Sequence, residues 1–515
     1  LKRRRNDIIP VVTLLFLGSL AFVHLLALPV FADEGGQVGW IWRVIEAREW
    51  LRPLGDGKPL EAWPMVPLVL WLGFDPLTAA RALHVLAGMI GAVLTYRLAL
   101  HLNDRTTAFV SGALFAICPF VVYLQRLALS DVFMCTAGVW ELASVLRLIE
   151  SPTWRRATTL ALSLVLVAFC KFPVGFVFLA SLPLALLLMP APERRRLQQR
   201  PGLTRAIAAH IPATCLALAV LLVAILRVQR GQSPGFGIQD LFGIGLGHYE
   251  GIETVMGVPR PTLLGELAAQ LSWPVTVVGL LGLIAGAVLN DWRQRWLIVV
   301  GAIPLLAVGL LTNFFFSRYL LFTLPPLIVA SVAGWRALAA RAGLWRRPLE
   351  LGALAPCVAI MAHQSALLVV DPLAANWSPV DRFQYFEAPG SGFGYPAAAQ
   401  FVRASPAAPR MIYSLDSYSA YQLLTYLPAD WRGRIKPIYY RADGKVARSN
   451  AERLENLLGA TPAWLIVPEQ LLRGDLESSF GSSNPDQLRL RQIAAFNKPG
   501  MHTRLAIYEV MHVGS

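Results

Sequence analysis

The sequence predicts an α-helical polytopic membrane protein of about eleven transmembrane helices, followed by a C-terminal extracytoplasmic α/β domain. Three observations carry that reading. Hydrophobic residues make up 55% of the chain and charged ones only 15%, with a mean hydropathy of +0.52. Apolar runs recur at a length of roughly 20 residues, which is what a helix needs to cross a bilayer. Beyond residue 370 the composition changes: residues 371–515 carry 15 Lys and Arg, 13 Asp and Glu, and no cysteine.

Spans are expected near 8–30, 77–100, 106–123, 131–149, 158–170, 172–189, 208–227, 273–289, 296–313, 318–336 and 350–370. The connections between them alternate in charge. One set, containing LKRRRND, HLNDRT, SPTWRRAT, PAPERRRLQQRPGLTR, NDWRQR and WRALAARAGLWRRPLE, holds eighteen Lys and Arg and few acids. The other set, leaving out the tail, has ten cations against twelve acids. This is the positive-inside asymmetry, so the N-terminus is expected in the cytoplasm and everything after Leu373 on the extracytoplasmic side of the cell membrane. The net charge of +14 is thereby read as topology and not as a nucleic-acid-binding surface.

The N-terminal stretch also has features of a signal peptide: a KRRR cluster, an apolar core, and small residues around Ala32. The apolar stretch from Ile8 to Val30 is longer than an ordinary signal core, which favours an uncleaved first span. The five cysteines all fall in apolar runs without zinc-like spacing and read as small core residues.

Two domains follow: a membrane domain over 1–370 with a large first external loop at 31–75, and a soluble domain over 371–515. In the latter, Arg410–Leu415, Ala463–Val467 and Arg504–Val510 have strand character. SNAERLENLLG opens at Ser449 with Glu452 three residues on, a capping-box spacing. Strands alternating with helices suggest a small α/β fold, and the segment is long enough to bury its own core.

The chemistry-bearing residues gather on the external side. Asp33 and Glu34 open the first loop. Val38, Ile41, Trp42 and Ile45 then share one face of an amphipathic segment expected to lie in the membrane interface. GDGKPLEAWP follows, a turn carrying Lys58. The next connection, YLQRLALSD, presents Arg126 and Asp131; later ones add Lys171 in CKFP, His248 in GLGHYEG, and Arg318 with Tyr319 in FFFSRYLL. Each has a plain structural reading. Asp131 after Ser130 could cap a helix, Lys171 and Arg126 could reach for headgroups, and a lone histidine is usually structural. As a set they converge on one membrane face, where unpaired charge is costly. A carboxylate beside several cations at a lipid surface suits transfer from a lipid phosphate. The cations hold the phosphate, and the carboxylate takes a proton from the attacking hydroxyl.

The order of these motifs resembles the GT-C membrane glycosyltransferases, specifically the branch of protein O-mannosyltransferases and lipid A aminoarabinose transferases. The likeness runs through Asp-Glu, REWLRPL, DGKP, QRLALSD and SRYLLFTLPPL and covers most of residues 1–335 in outline. It implies an inverting transfer from a polyprenyl-phosphate-linked sugar donor to a lipid, glycan or protein acceptor. Asp33 would be the base with Glu34 beside it, and Asp131 the second acidic position. Lys58, Arg126, Arg318 and Tyr319 would be at the donor phosphate, with His248 as a possible further site residue; Lys171, from the reading of the external connections, is another. In the aminoarabinose branch an acid just before the Lys-Pro helps bind a divalent metal; here Gly57 stands there, with Asp56 one step earlier, so no cofactor is assigned. The tail has no WWD-type motif, which argues against an oligosaccharyltransferase catalytic subunit, and the sugar-binding-like domain of the mannosyltransferases is not apparent.

Two other classes fit the composition. A transporter or lipid flippase should hold ionisable groups near mid-membrane, where the sequence places only Glu141. A non-catalytic envelope-assembly protein would use the tail for docking and tolerate changes at Asp33 and Lys58.

Overall fold

The computed structural model describes residues 7–50, 58–171, 178–200, 263–311, 317–406, 411–414, 417–437, 463–469, 488–500 and 503–512, with a few isolated positions between them. They form two compact units, one of Leu1–Leu25 with Val44–Ser378 and one of Leu26–Arg43 with Pro379–Ser515. His248, Asp56, Gly57 and the SNAERLENLLG segment lie outside the described residues, as does most of the expected 208–227 span.

The first unit is helical. It begins with α1 (Ile8–Ser19), while α2 (Ala32–Glu46) falls mostly in the second unit. Then follow α3 (Met65–Leu72), α4 (Pro76–Leu102), α5 (Arg105–Ala116), α6 (Pro119–Gln125), α7 (Ser130–Glu150), α8 (Trp154–Cys170), α9 (Ser181–Leu188) and α10 (Ala191–Gln198). After these come α11 (Leu263–Leu271), α12 (Trp273–Leu289), α13 (Trp292–Leu311), α14 (Leu324–Arg341) and α15 (Arg346–Val370).

Local chemistry sets the ends of these helices. Gly73 takes φ +68° and closes α3 in the left-handed conformation a side chain would resist. Two residues on, the Asp75 carboxylate accepts the Thr78 N–H at 3.0 Å and Pro76 occupies the first turn, which starts α4. Asp104 caps α5 in the same way through Thr107 N at 2.8 Å. Pro119 starts a new helix, so α5 and α6 meet at 54°.

Among the described residues, four helical stretches are long and apolar enough to cross a membrane: Pro76–Leu102, Ser130–Glu150, Ser317–Arg341 and Gly343–Val370. Counting each bent pair as one span raises this to six. The stretch expected to span 8–30 is helical only as far as Phe22. Beyond it, the His24 and Leu25 carbonyls accept from Arg126 at 2.8 Å and Arg81 at 2.9 Å instead of continuing the helix.

Small residues let the helices approach closely, as lipid-embedded packing requires. A Cβ built on Gly334 of α14 would lie 1.9 Å from the Gly282 carbonyl of α12. Nearby, Trp335 Nε1 donates to Val278 O at 2.7 Å. Ile9, Trp71, Val288 and Leu351 are exposed, the arrangement expected of lipid-facing positions.

The second unit is an α/β domain. Its strands are β1 (Ile412–Ser414), β2 (Ile435–Pro437), β3 (Ala463–Pro468), β4 (Leu488–Asn497) and β5 (Arg504–His512). They form one sheet in the order β2-β1-β3-β5-β4, parallel on the β1 side of β3 and antiparallel on the β5 side. All six residues of β3 are buried, as a central strand demands. Helices α16 (Pro379–Arg382), α17 (Tyr395–Ala404) and α18 (Ser417–Leu424) complete the unit.

The amphipathic segment expected in the membrane interface is instead packed in protein. Gly35, Gly36 and Gly39 give α2 a face without side chains, and Gln422, Tyr418 and Tyr421 of α18 fill it. Trp42 sits against the Tyr421 ring at 6.3 Å and under the Arg432 guanidinium at 4.5 Å. Val38 and Ile41 are fully buried.

Candidate functional site

The first unit draws five of the expected residues into one chain of contacts. It starts in the Lys-Pro turn, where Pro59 opens a short 3₁₀ segment, Pro59–Glu61. This puts Glu61 one turn after Lys58, with Lys58 Nζ 3.8 Å from Glu61 Oε1. The same Oε1 accepts the backbone N–H of Ser130 at 2.9 Å. That N–H is one of the four a helix start leaves unpaired, so Glu61 caps α7 from a distant segment. The neighbouring Asp131 therefore does not serve as the cap, and no side chain of the residue before α7 does so either.

Asp131 is held from another direction. Lys171, at the end of α8, donates to Asp131 Oδ1 at 2.7 Å. Lys171 Nζ also lies 4.2 Å from the centre of the Tyr319 ring, and Arg318 lies 5.4 Å from it. Both arrangements place a cation against the ring's negative face. Arg318 and Tyr319 belong to the 3₁₀ stretch Ser317–Thr323. It precedes the Pro325–Pro326 pair at the start of α14, where prolines without N–H groups are tolerated.

Four segments thus bring together Lys58, Glu61, Asp131, Lys171, Arg318 and Tyr319. Glu61 was not singled out from the sequence, although its i,i+3 spacing from Lys58 in KPLE was there to be read. It is 1% exposed, and its Oε2 meets no hydrogen-bond partner among the described residues. Burial pushes the Glu61 carboxyl above its ordinary range, while Lys58 and the hydrogen bond at Ser130 pull against it. Asp131 adds to the rise and Lys171 opposes it.

Arg126 does not join this chain. It is fully buried, and its guanidinium donates to the backbone carbonyls of His24 and Leu368. Five N–H groups in a rigid fork suit that task, tying together segments distant in sequence. The deep acid Glu141 accepts from the Ser181 hydroxyl, whose own carbonyl takes Trp296 Nε1 at 2.9 Å.

Asp33 and Glu34 lie in the second unit, in the first turn of α2. Glu34 is buried and Oε2 reaches back to accept Phe31 N–H at 3.0 Å, the reciprocal half of a capping box. The next N–H, of Ala32, is accepted by Gly390 O at 2.9 Å. Gln422 Nε2 ties Val30 O and Gly390 O together at 2.7 and 3.0 Å. Lys498, 2% exposed, holds the same loop through the carbonyls of Ala388, Pro389 and Ser391 at 2.8 to 3.3 Å. The start of α2 is therefore fixed by backbone and buried polar groups, and Asp33 is half-buried upon it. Its partner Glu34, expected beside it in the chemistry, is occupied by the helix end.

A model of the dolichyl-phosphate-mannose-protein mannosyltransferase family matches residues 57–226. ArnT from Cupriavidus metallidurans bound to undecaprenyl phosphate superposes with a TM-score of 0.58 at 13% identity, over 98% of this chain and 97% of that one. The chain has the GT-C fold. The same GT-C architecture is shared with the Archaeoglobus fulgidus oligosaccharyltransferase, at 0.57 and 10% identity over 96% of this chain and 73% of that one. Arabinofuranosyltransferase AftD from Mycobacteria matches at 0.54 and 15% identity, over 99% of this chain and 40% of the longer AftD. No curated protein matches the sequence significantly. Gly57 offers no metal ligand directly before the Lys-Pro, and among the described residues, which leave out Asp56 and His248, no three His, Cys, Asp or Glu side chains converge.

Proposed function

We propose that this GT-C chain is a membrane glycosyltransferase that moves a sugar from a polyprenyl-phosphate-linked donor to an acceptor on the extracytoplasmic face. The observation that carries the reading is the chain of contacts from Lys58 through Glu61, Asp131 and Lys171 to Tyr319 and Arg318. Three cations, Lys58, Lys171 and Arg318, brought from three segments at the ends of apolar helices, are suited to an anionic lipid headgroup. The undecaprenyl phosphate bound by ArnT, a structure of the same fold, supports that choice of donor.

In this reading Lys58 and Arg318 hold the phosphate and stabilise the charge it acquires on leaving. Lys171, fixed by Asp131, supplies further positive potential. Asp33 accepts the proton of the acceptor hydroxyl as its oxygen attacks the anomeric carbon. The new C–O bond forms on the face opposite the breaking bond to phosphate, so the configuration inverts and the polyprenyl phosphate departs. The charge asymmetry of the connections supports a cytoplasmic N-terminus and an extracytoplasmic C-terminal domain.

The test is Asp33→Asn, which keeps shape and removes the base. Transfer from a polyprenyl-phosphate sugar in nanodiscs should be abolished while the thermal midpoint is unchanged. Turnover at the wild-type rate would remove Asp33 from the chemistry.

A further inference from the structure

Glu61 is a buried carboxylate beside the lysine assigned to the lipid phosphate, and the mechanism above gives it no task. The surroundings of Glu61 define what it can do. On its own segment stands Lys58, 3.8 Å from Oε1. From α7 come the Ser130 N–H, bonded to Oε1 at 2.9 Å, and the Asp131 carboxylate. From the end of α8 come the Cys170 thiol and the Lys171 amine. Asp131 and Lys171 are committed to each other at 2.7 Å. That leaves Lys58 as the cation facing Glu61 and Oε2 as the oxygen with no partner among the described residues.

An ionised Glu61 and a bound phosphate would compete for the same lysine and repel each other, with little screening at a carboxylate only 1% exposed. A neutral Glu61 has neither problem, and its hydroxyl becomes a donor in a place where a donor suits an anion. We propose that Glu61 couples binding of the lipid phosphate at Lys58 to uptake of one proton, meeting the anion as a neutral carboxylic acid with Oε2–H directed toward it. The proton comes from solvent and stays on Oε2 while the phosphate is bound. Burial, which already raises the Glu61 carboxyl, acts in the same direction. The inference rests on the donor reading above and assigns Glu61 a role in setting when that donor binds.

The coupling has a signed consequence. Where Glu61 is ionised in the free protein, each binding event takes up a proton, so affinity falls as pH rises, by about tenfold per pH unit. The probe is a short-chain polyprenyl methyl phosphodiester, whose single negative charge does not itself titrate across the range used. Its Kd is measured with the full chain in nanodiscs from about pH 5 to about pH 9. The wild type should weaken across the upper part of that range. Glu61→Gln keeps an oxygen for Ser130 N–H and a neutral donor for the phosphate, so its Kd should stay flat and match the wild type at low pH. Calorimetry of the wild type in two buffers of different ionisation enthalpy should find about one proton taken up per probe bound at the higher pH. An equal pH slope in Glu61→Gln, or no proton uptake by the wild type, overturns the role of Glu61 and leaves the donor reading intact. A wild type that binds no diester at any pH overturns both.

Discussion

Lys171 Nζ stands 2.7 Å from Asp131 Oδ1, an ion pair in which the two side chains keep only 12% and 3% of their exposure. Pairs this deep depend on both partners. Removing one leaves a charge stranded in a poorly solvated site and costs about 3–5 kcal/mol. Asp131→Asn and Lys171→Met should each lower the thermal midpoint in detergent and reduce transfer. The double variant should recover most of the stability and little of the transfer, because the Lys171 amine is still missing from the ring of Tyr319, where only Arg318 remains. Recovery of both together would reduce the pair to a structural strut.

Glu34 should separate from its neighbour Asp33 in the opposite sense. Its carboxylate accepts the Phe31 N–H at the start of α2. Glu34→Ala removes a capping interaction and should cost about 1 kcal/mol in chemical unfolding, with a transfer rate within a few-fold of the wild type. A loss of transfer as complete as that expected for Asp33→Asn, at unchanged stability, would move Glu34 into the chemistry.

Lys498 should give the protein a pH-dependent stability. Burial pushes its amine down to about 7, whereas an unfolded lysine titrates near about 10.4. Between those values the unfolded chain binds more protons than the folded one, so stability rises with pH across that window. Below pH of about 7 both states carry the proton and the slope from this residue vanishes. Unfolding in detergent at several pH values should show the rise in the wild type. Lys498→Met, which also strands the carbonyls of Ala388, Pro389 and Ser391, should be less stable overall and lack that slope.

Much of this was legible in the sequence because it was written in local pattern. The spans expected to begin near 77 and 106 start at Pro76 and Arg105, and the strand character of Ala463–Val467 followed from an apolar run between polar stretches. The edge strands β2 and β4 were missed. One is three residues long, and the other, LRLRQIAAFN, breaks its apolar pattern with Arg489, Arg491, Gln492 and Asn497 because it borders the sheet. Lys58, Asp131, Lys171, Arg318 and Tyr319 were singled out through motifs, and the fold links them in one chain of contacts that passes through Glu61. Arg126, five residues before Asp131 in QRLALSD, shared the motif and not the chain of contacts. Its partners, His24 and Leu368, are 102 and 242 residues away, a distance no local pattern encodes. The interface reading of α2 failed for a related reason. Its apolar face is compatible with lipid or protein, and what decides is the glycine face matched to the side chains of Tyr418 and Tyr421.

The central claim is that cations gathered from separate segments receive a lipid phosphate, with Lys58 foremost among them. Its most direct test is the Kd of polyprenyl phosphate for the nanodisc-held chain, wild type against Lys58→Ala at fixed pH. A charge-assisted hydrogen bond of about 1.5–3 kcal/mol corresponds to binding weakened by roughly 10–150-fold, and that is the result predicted. Equal affinity in the two proteins, with the variant folded, would contradict the account.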